Sequence, residues 1–196
     1  MRTLLIVALI GAAGASTAAA QSQVKSSAVQ IAAAITPLPA EFREQAKVLG
    51  YVAGSKTLSE LRGGSGAFVC LADDPSDERF HVACYHNSLE PFMARGRELR
   101  ATGVRGQGVD SVRFAEIKSG KLAMPKNPAA LYSITLKPDE VDAAGAVPAT
   151  AKPLYVVYIP FETAESTGLP KTPAGGMPWI MFPGTPKAHI MFVPTM

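Results

Sequence analysis

Both cysteines of the chain, two of its three histidines and four carboxylates fall within one short stretch, CLADDPSDERFHVACYH, running from Cys70 to His86. Two thiols fourteen positions apart can close a hairpin as a disulfide, or act as metal ligands when reduced. The spacing is far from Cys-x-x-Cys and gives no support to a dithiol redox centre. His81 and His86, joined by His189 near the end of the chain, could offer zinc three imidazoles, with Asp73, Asp74 or Asp77 as further ligands. A zinc ion held that way with one open position would lower the pKa of its bound water and supply hydroxide for hydrolysis. Spacing works against the idea. Residues five apart on a strand point to opposite faces, and no His-Glu-x-x-His helix is present.

Other chemistry is weaker. Met177, Met181, Met191 and His189 carry soft donors suited to Cu(I), although methionine alternating along a strand more often packs a core. The acidic loop Asp73-Asp74-Pro75-Ser76-Asp77-Glu78 lacks the ligand spacing and the glycine of a calcium loop, and reads as a solvated turn. Gly63-Gly64-Ser65-Gly66-Ala67 misses the Gly-x-Ser-x-Gly elbow at its last residue. Ser22-Gln23-Val24-Lys25 fits Ser-x-x-Lys, but in a segment expected to be flexible. No Walker loop or dinucleotide fingerprint occurs, so no cofactor of that class is expected. Trp179, beside Met177 and Pro178, reads as a core residue before it reads as the lining of an apolar groove.

The elements that must position these residues follow from periodicity and breakers. Residues 29–35 form a short helix or a strand, and the alanine run does not decide which. Pro39 opens a single helical turn, and 47–53 reads as a strand. Gly63, Gly64 and Gly66 mark a flexible turn. Strands at 67–71 and 80–85 then make a hairpin with one cysteine on each arm. Asn87 or Ser88 can cap a helix with Leu89, Phe92, Met93 and Leu99 on one face, ended by Gly103. Asp110 or Ser111 can cap a second helix, with Val112, Ala115 and Ile117 facing inward before Gly120. Strands at 131–136 and 154–159 follow. The second is apolar on both faces, as a central strand between two layers would be. Residues 138–153 and 162–178 read as long loops. Pro183-Gly184 joins strands at 179–182 and 188–193 through a type II turn, which leaves His189 at least partly buried.

At the scale of the chain, Arg2, the apolar run 4–10 and Ala18-Ala19-Ala20 read as a secretory signal over 1–20, with 21–27 flexible and 28–196 a single globular domain. No cysteine follows the expected cleavage point, and no second apolar run is long enough to cross a membrane. With 47% apolar and 18% charged residues, the composition is that of a globular domain. Without Arg2 eighteen basic residues face sixteen acidic ones, a balance that by itself implies no nucleic-acid partner. Arg95, Arg97, Arg100, Arg105, Arg113, Lys118, Lys121 and Lys126 crowd one region against three acids, and read as the solvated faces of two helices before an anion-binding patch.

Leu61-Arg62-Gly63-Gly64, the run from Phe68 to Asp73, Cys84, Pro178-Trp179-Ile180-Met181 and the run from Gly184 to Met191 are similar to signatures of uncharacterised secreted bacterial proteins. That resemblance spans the mature chain. It implies that the cysteine pair and the segment around His189 belong to one framework, and it carries no catalytic role.

The expected fold is α+β: an antiparallel or mixed sheet with two helices from the middle of the chain on one side, with a mostly β sandwich as the alternative. The expected function is that of a secreted or periplasmic binding or interaction module without catalysis, stabilised by a Cys70–Cys84 disulfide and directed at a ligand or protein partner. The alternative is a metal-dependent hydrolase using His81, His86 and His189, with zinc as its cofactor; otherwise no cofactor is expected.

Overall fold

The computed structural model describes residues 24–193. The expected signal, 1–20, and the first residues of the 21–27 segment lie outside the described residues. The fold is α+β, with five α-helices and an eight-stranded mixed sheet among the described residues.

Helix α1 (Ser27–Ala34) resolves the ambiguity at 29–35, because Ser26 accepts the Val29 N–H and gives the alanine run a helical start. Helix α2 (Ala40–Arg43) is the short turn opened by Pro39. Strands β1 (Lys47–Gly50), β2 (Ser59–Arg62), β3 (Phe68–Leu71) and β4 (Phe80–His86) follow. Helices α3 (Glu90–Ala101) and α4 (Gln107–Lys118) precede β5 (Ala129–Leu136) and β6 (Pro153–Tyr158). Helix α5 (Ala164–Thr167), β7 (Trp179–Met181) and β8 (His189–Phe192) complete the chain. The strand order is β2-β1-β3-β4-β5-β6-β8-β7, antiparallel except where β1 runs parallel to β3.

Alternation of side chains divides the core in two. Phe68, Cys70, Val82, Cys84 and Ile134 point to the face covered by α1. Val69, Tyr85, Val156 and Tyr158 point to the other face, where Leu89, Phe92, Phe114 and Ile117 bring α3 and α4 down. The middle of the chain thus supplies the two helices of one layer, and α1 adds a third layer on the opposite side. A row of rings crosses the strands, with Phe68–Tyr132 at 5.8 Å, Tyr132–Tyr155 at 5.5 Å and Tyr155–Phe192 at 5.6 Å between centroids. These tilted and edge-on contacts link β3, β5, β6 and β8 on the face that carries α1, and Phe42 of α2 packs on Phe68 at 5.0 Å at the start of the row.

Three local expectations change. Helix α4 starts at Gln107 behind Gly106, not at Asp110, because Asp110 is engaged in ion pairs from its first turn. Its buried residues are Val109 and Arg113, so the inward face is rotated from the expected Val112 and Ala115. The glycines at 63–66 are a site of close approach. A Cβ on Gly64 would lie 2.4 Å from both the Gln45 carbonyl oxygen and the Lys47 nitrogen. Gly66 donates its N–H to Gln45 O at 2.9 Å.

Candidate functional site

Cys70 and Cys84 face each other in the β3–β4 ladder, are fully buried, and form a disulfide. Their sulfurs are consumed by structure and sit under α1. Register separates the three histidines. His86 and His189 lie at nearby levels of the sheet, but β5 and β6 stand between β4 and β8, three strand spacings or roughly 14 Å. His81 is five residues farther along β4, roughly 17 Å from His86, and points to the opposite face. Imidazoles sharing one zinc must lie within a few ångströms of each other, so the expected three-histidine site does not form. Among the described residues no group of three or more His, Cys, Asp or Glu side chains is placed to hold a metal ion.

Each imidazole has a local partner instead. His81 Nδ1 lies 2.8 Å from the Thr135 hydroxyl, His86 Nδ1 2.8 Å from the Ser88 hydroxyl, and His189 Nδ1 2.7 Å from Lys187 O. Burial lowers the pKa of His81 and of His189. Met181 lies opposite His189 in the β7–β8 ladder, Met191 packs into the core, and Met177 is exposed.

His189 belongs to a polar cluster that ties α4 to the last hairpin. Lys187 donates to Asp110 at 2.8 Å, and Asp110 also pairs with Arg113. The Arg113 guanidinium is buried, lies 3.6 Å over the Phe92 ring and donates to Phe92 O at 3.1 Å. Burial raises the Asp110 pKa, but hydrogen bonds from Lys187 and Arg113 outweigh it and hold the group below its ordinary value. Burial pushes the neighbouring Tyr158 hydroxyl up to about 12. The Arg113 Nε is buried without a hydrogen-bond partner.

A groove of about 650 Å³ opens on the other side of α3, between that helix, the loop 51–58 and the Asp74 turn. Its first wall is fixed by Gln30. That buried side chain accepts the Tyr51 N–H at 2.8 Å and donates to Tyr51 O at 2.8 Å, so α1 holds the start of the loop. Its second wall is fixed by Asp74, which accepts the Tyr51 hydroxyl at 2.9 Å and the Ser76 N–H and hydroxyl at 2.9 and 2.7 Å. Burial opposes ionisation of Asp74, and the Ser76 and Tyr51 hydrogen bonds together keep its pKa low. Asp73 accepts the His81 N–H, so the first carboxylates of the acidic loop cap their own turn.

The third wall carries Arg97, Arg100 and Arg105, with Lys56 across the opening. Arg97 is committed: it donates to Glu90 at 2.6 Å and to the Tyr85 hydroxyl at 2.7 Å. Of its upstream neighbours, Arg95 is held by Glu116 and Glu98. Arg100 differs, since among the described residues it forms no ion pair. A Cβ on Gly96 would lie 2.9 Å from the Arg113 Nη1 and 3.5 Å from the Arg100 Nη2, so the bare glycine lets two guanidiniums converge. The expected solvated helix faces hold for Arg100, Arg105, Lys118, Lys121 and Lys126, which are exposed, and fail for the buried Arg113; Arg100 and Arg105 also line a hollow. Sequence reasoning missed this site because its walls come from loop 51–58, the 74–77 turn and α3, and no motif spans them.

No helix of the described residues is long and apolar enough to cross a membrane. No family model, curated protein or solved structure matches this chain.

Proposed function

We propose that the protein is an extracytoplasmic binding protein without catalysis, and that the groove between loop 51–58, the Asp74 turn and α3 takes a small polar ligand. The observation that carries this reading is the groove itself. It is about 650 Å³ in volume, a size suited to a small molecule, and its walls are fixed by the Gln30 and Asp74 hydrogen bonds. Walls held before binding reduce the entropy lost when a ligand is ordered. The Cys70–Cys84 disulfide, the leader pattern over 1–20 and the likeness to secreted bacterial proteins support export.

Ala101→Trp tests the assignment, because Ala101 lines the groove and is exposed, so the indole fills the space without entering the core. The wild-type chain is expected to retain a small molecule from a cell extract, and Ala101→Trp to lose it. Equal retention by both chains places the ligand elsewhere and overturns the assignment.

A further inference from the structure

We propose that the groove binds an oxyanion, phosphate or carboxylate, through Arg100 with Arg105 and Lys56. The inference rests on the groove being the ligand site and names the chemistry of what fills it.

Positive charge here is in excess, with Lys56, Arg97, Arg100 and Arg105 lining the groove against Asp74 and Asp77. Arg97 and Arg113 have acidic partners in direct ion pairs, but Arg100, close to both and to Arg105, makes no ion pair among the described residues and has Asp110 only as a more distant acidic neighbour. Burial, then the repulsion of Arg113 and Arg97, disfavour the charged form of Arg100; Asp110 opposes them, Arg105 adds to them, and an arginine keeps its proton at neutral pH. Arg105 directs one Nη at the Arg100 and Val104 carbonyls, which anchors its stem and leaves its other donors available. Planar donor forks of this kind match the oxygens of phosphate or carboxylate. An anion in the groove would relieve the repulsion and satisfy the donors together.

The opposite wall sharpens the choice. Asp74 and Asp77 line the far side, and Asp74 is kept ionised by its hydrogen bonds. A ligand negative at both ends would be repelled there. One with an oxyanion at the α3 end and hydroxyl donors at the other would be complementary to both walls.

The test uses the mature chain in chloride buffer at constant ionic strength, titrated with inorganic phosphate, glucose 6-phosphate and glucose, and read by calorimetry and melting temperature. Phosphate and glucose 6-phosphate are expected to bind saturably, glucose 6-phosphate more tightly, and glucose not at all. Arg100→Gln should weaken both about tenfold or more, the scale of one lost charge-assisted hydrogen bond. Lys118→Gln, at an exposed position on α4 outside the groove, should change neither. Without ligand, Arg100→Gln should melt no lower than wild type, because it removes a repelled charge. The inference is overturned if neither anion binds, or if Arg100→Gln binds them as wild type does. Glucose binding as tightly as glucose 6-phosphate, with Ala101→Trp abolishing both, would retain the groove as the ligand site and remove the oxyanion.

Discussion

Gly64 has no room for a side chain, since a Cβ there would press on the backbone of 45–47, where atoms cannot move aside cheaply. Gly64→Ala is therefore expected to cost about 1–3 kcal/mol in urea unfolding, the range of overpacked sites. A variant as stable as its parent would show that the 63–66 turn is free. His189 makes a second claim at this scale. Burial depresses its folded pKa, so the protein is favoured while the imidazole is neutral. That contribution is whole above the unfolded value of about 6.5 and is lost as pH falls below it toward the folded pKa. His81 carries the same sign. Wild type should lose melting temperature from pH 7 to pH 5, and His189→Phe should lose less over that interval; parallel profiles would contradict the buried neutral imidazole. The burial of His189 was legible from its place on an apolar strand. The partners of the histidines were only partly so, because Ser88 is two residues from His86 whereas Thr135 is brought to His81 by strand register.

The β3–β4 hairpin was the element most open to sequence reasoning: alternating apolar residues, an acidic turn and one cysteine on each arm define it locally. Its disulfide closes a loop of fourteen residues' separation beneath α1. Cys70→Ser with Cys84→Ser should cost about 3 kcal/mol by the loop-entropy model, with the ladder otherwise retained. Urea unfolding of wild type with and without reductant gives the same comparison, and no difference in midpoint would show that the ladder alone closes the hairpin. Helix α4 was less legible. Asp110 has the chemistry of a cap, but Arg113 and Lys187, the latter from the last hairpin, draw it into ion pairs inside the helix. Such pairing depends on where β8 lies, and local propensity contains no trace of it. The amphipathic pattern also treats arginine as outward-facing, whereas Arg113 is covered by Phe92 and satisfied by Asp110.

Among the described residues as a whole, one sheet carries α3 and α4 on one face and α1 on the other, where the aromatic row runs from Phe68 under α1 across to Phe192. The α+β class was legible because strand and helix patterns are each local. The groove was not, since it forms only when β1 and its loop are carried to the side of α3 by a parallel pairing with β3. What the sequence did contain was an excess of basic residues over 95–126. The fold divides that excess into the ion-paired Arg95 and Arg97, the buried Arg113, and Arg100 and Arg105, which line the groove beside Arg97 without an ion pair among the described residues. The site of interest thus moves from the cysteine and histidine stretch, whose side chains are held in the framework, to the surface that this framework supports. The direct test of that account is to equilibrate wild-type protein and Ala101→Trp with the same small-molecule extract, remove unbound material, and identify what each releases by mass spectrometry. The account predicts close to one equivalent of a single compound from wild type and none from Ala101→Trp; equal release from both, or none from either, contradicts it.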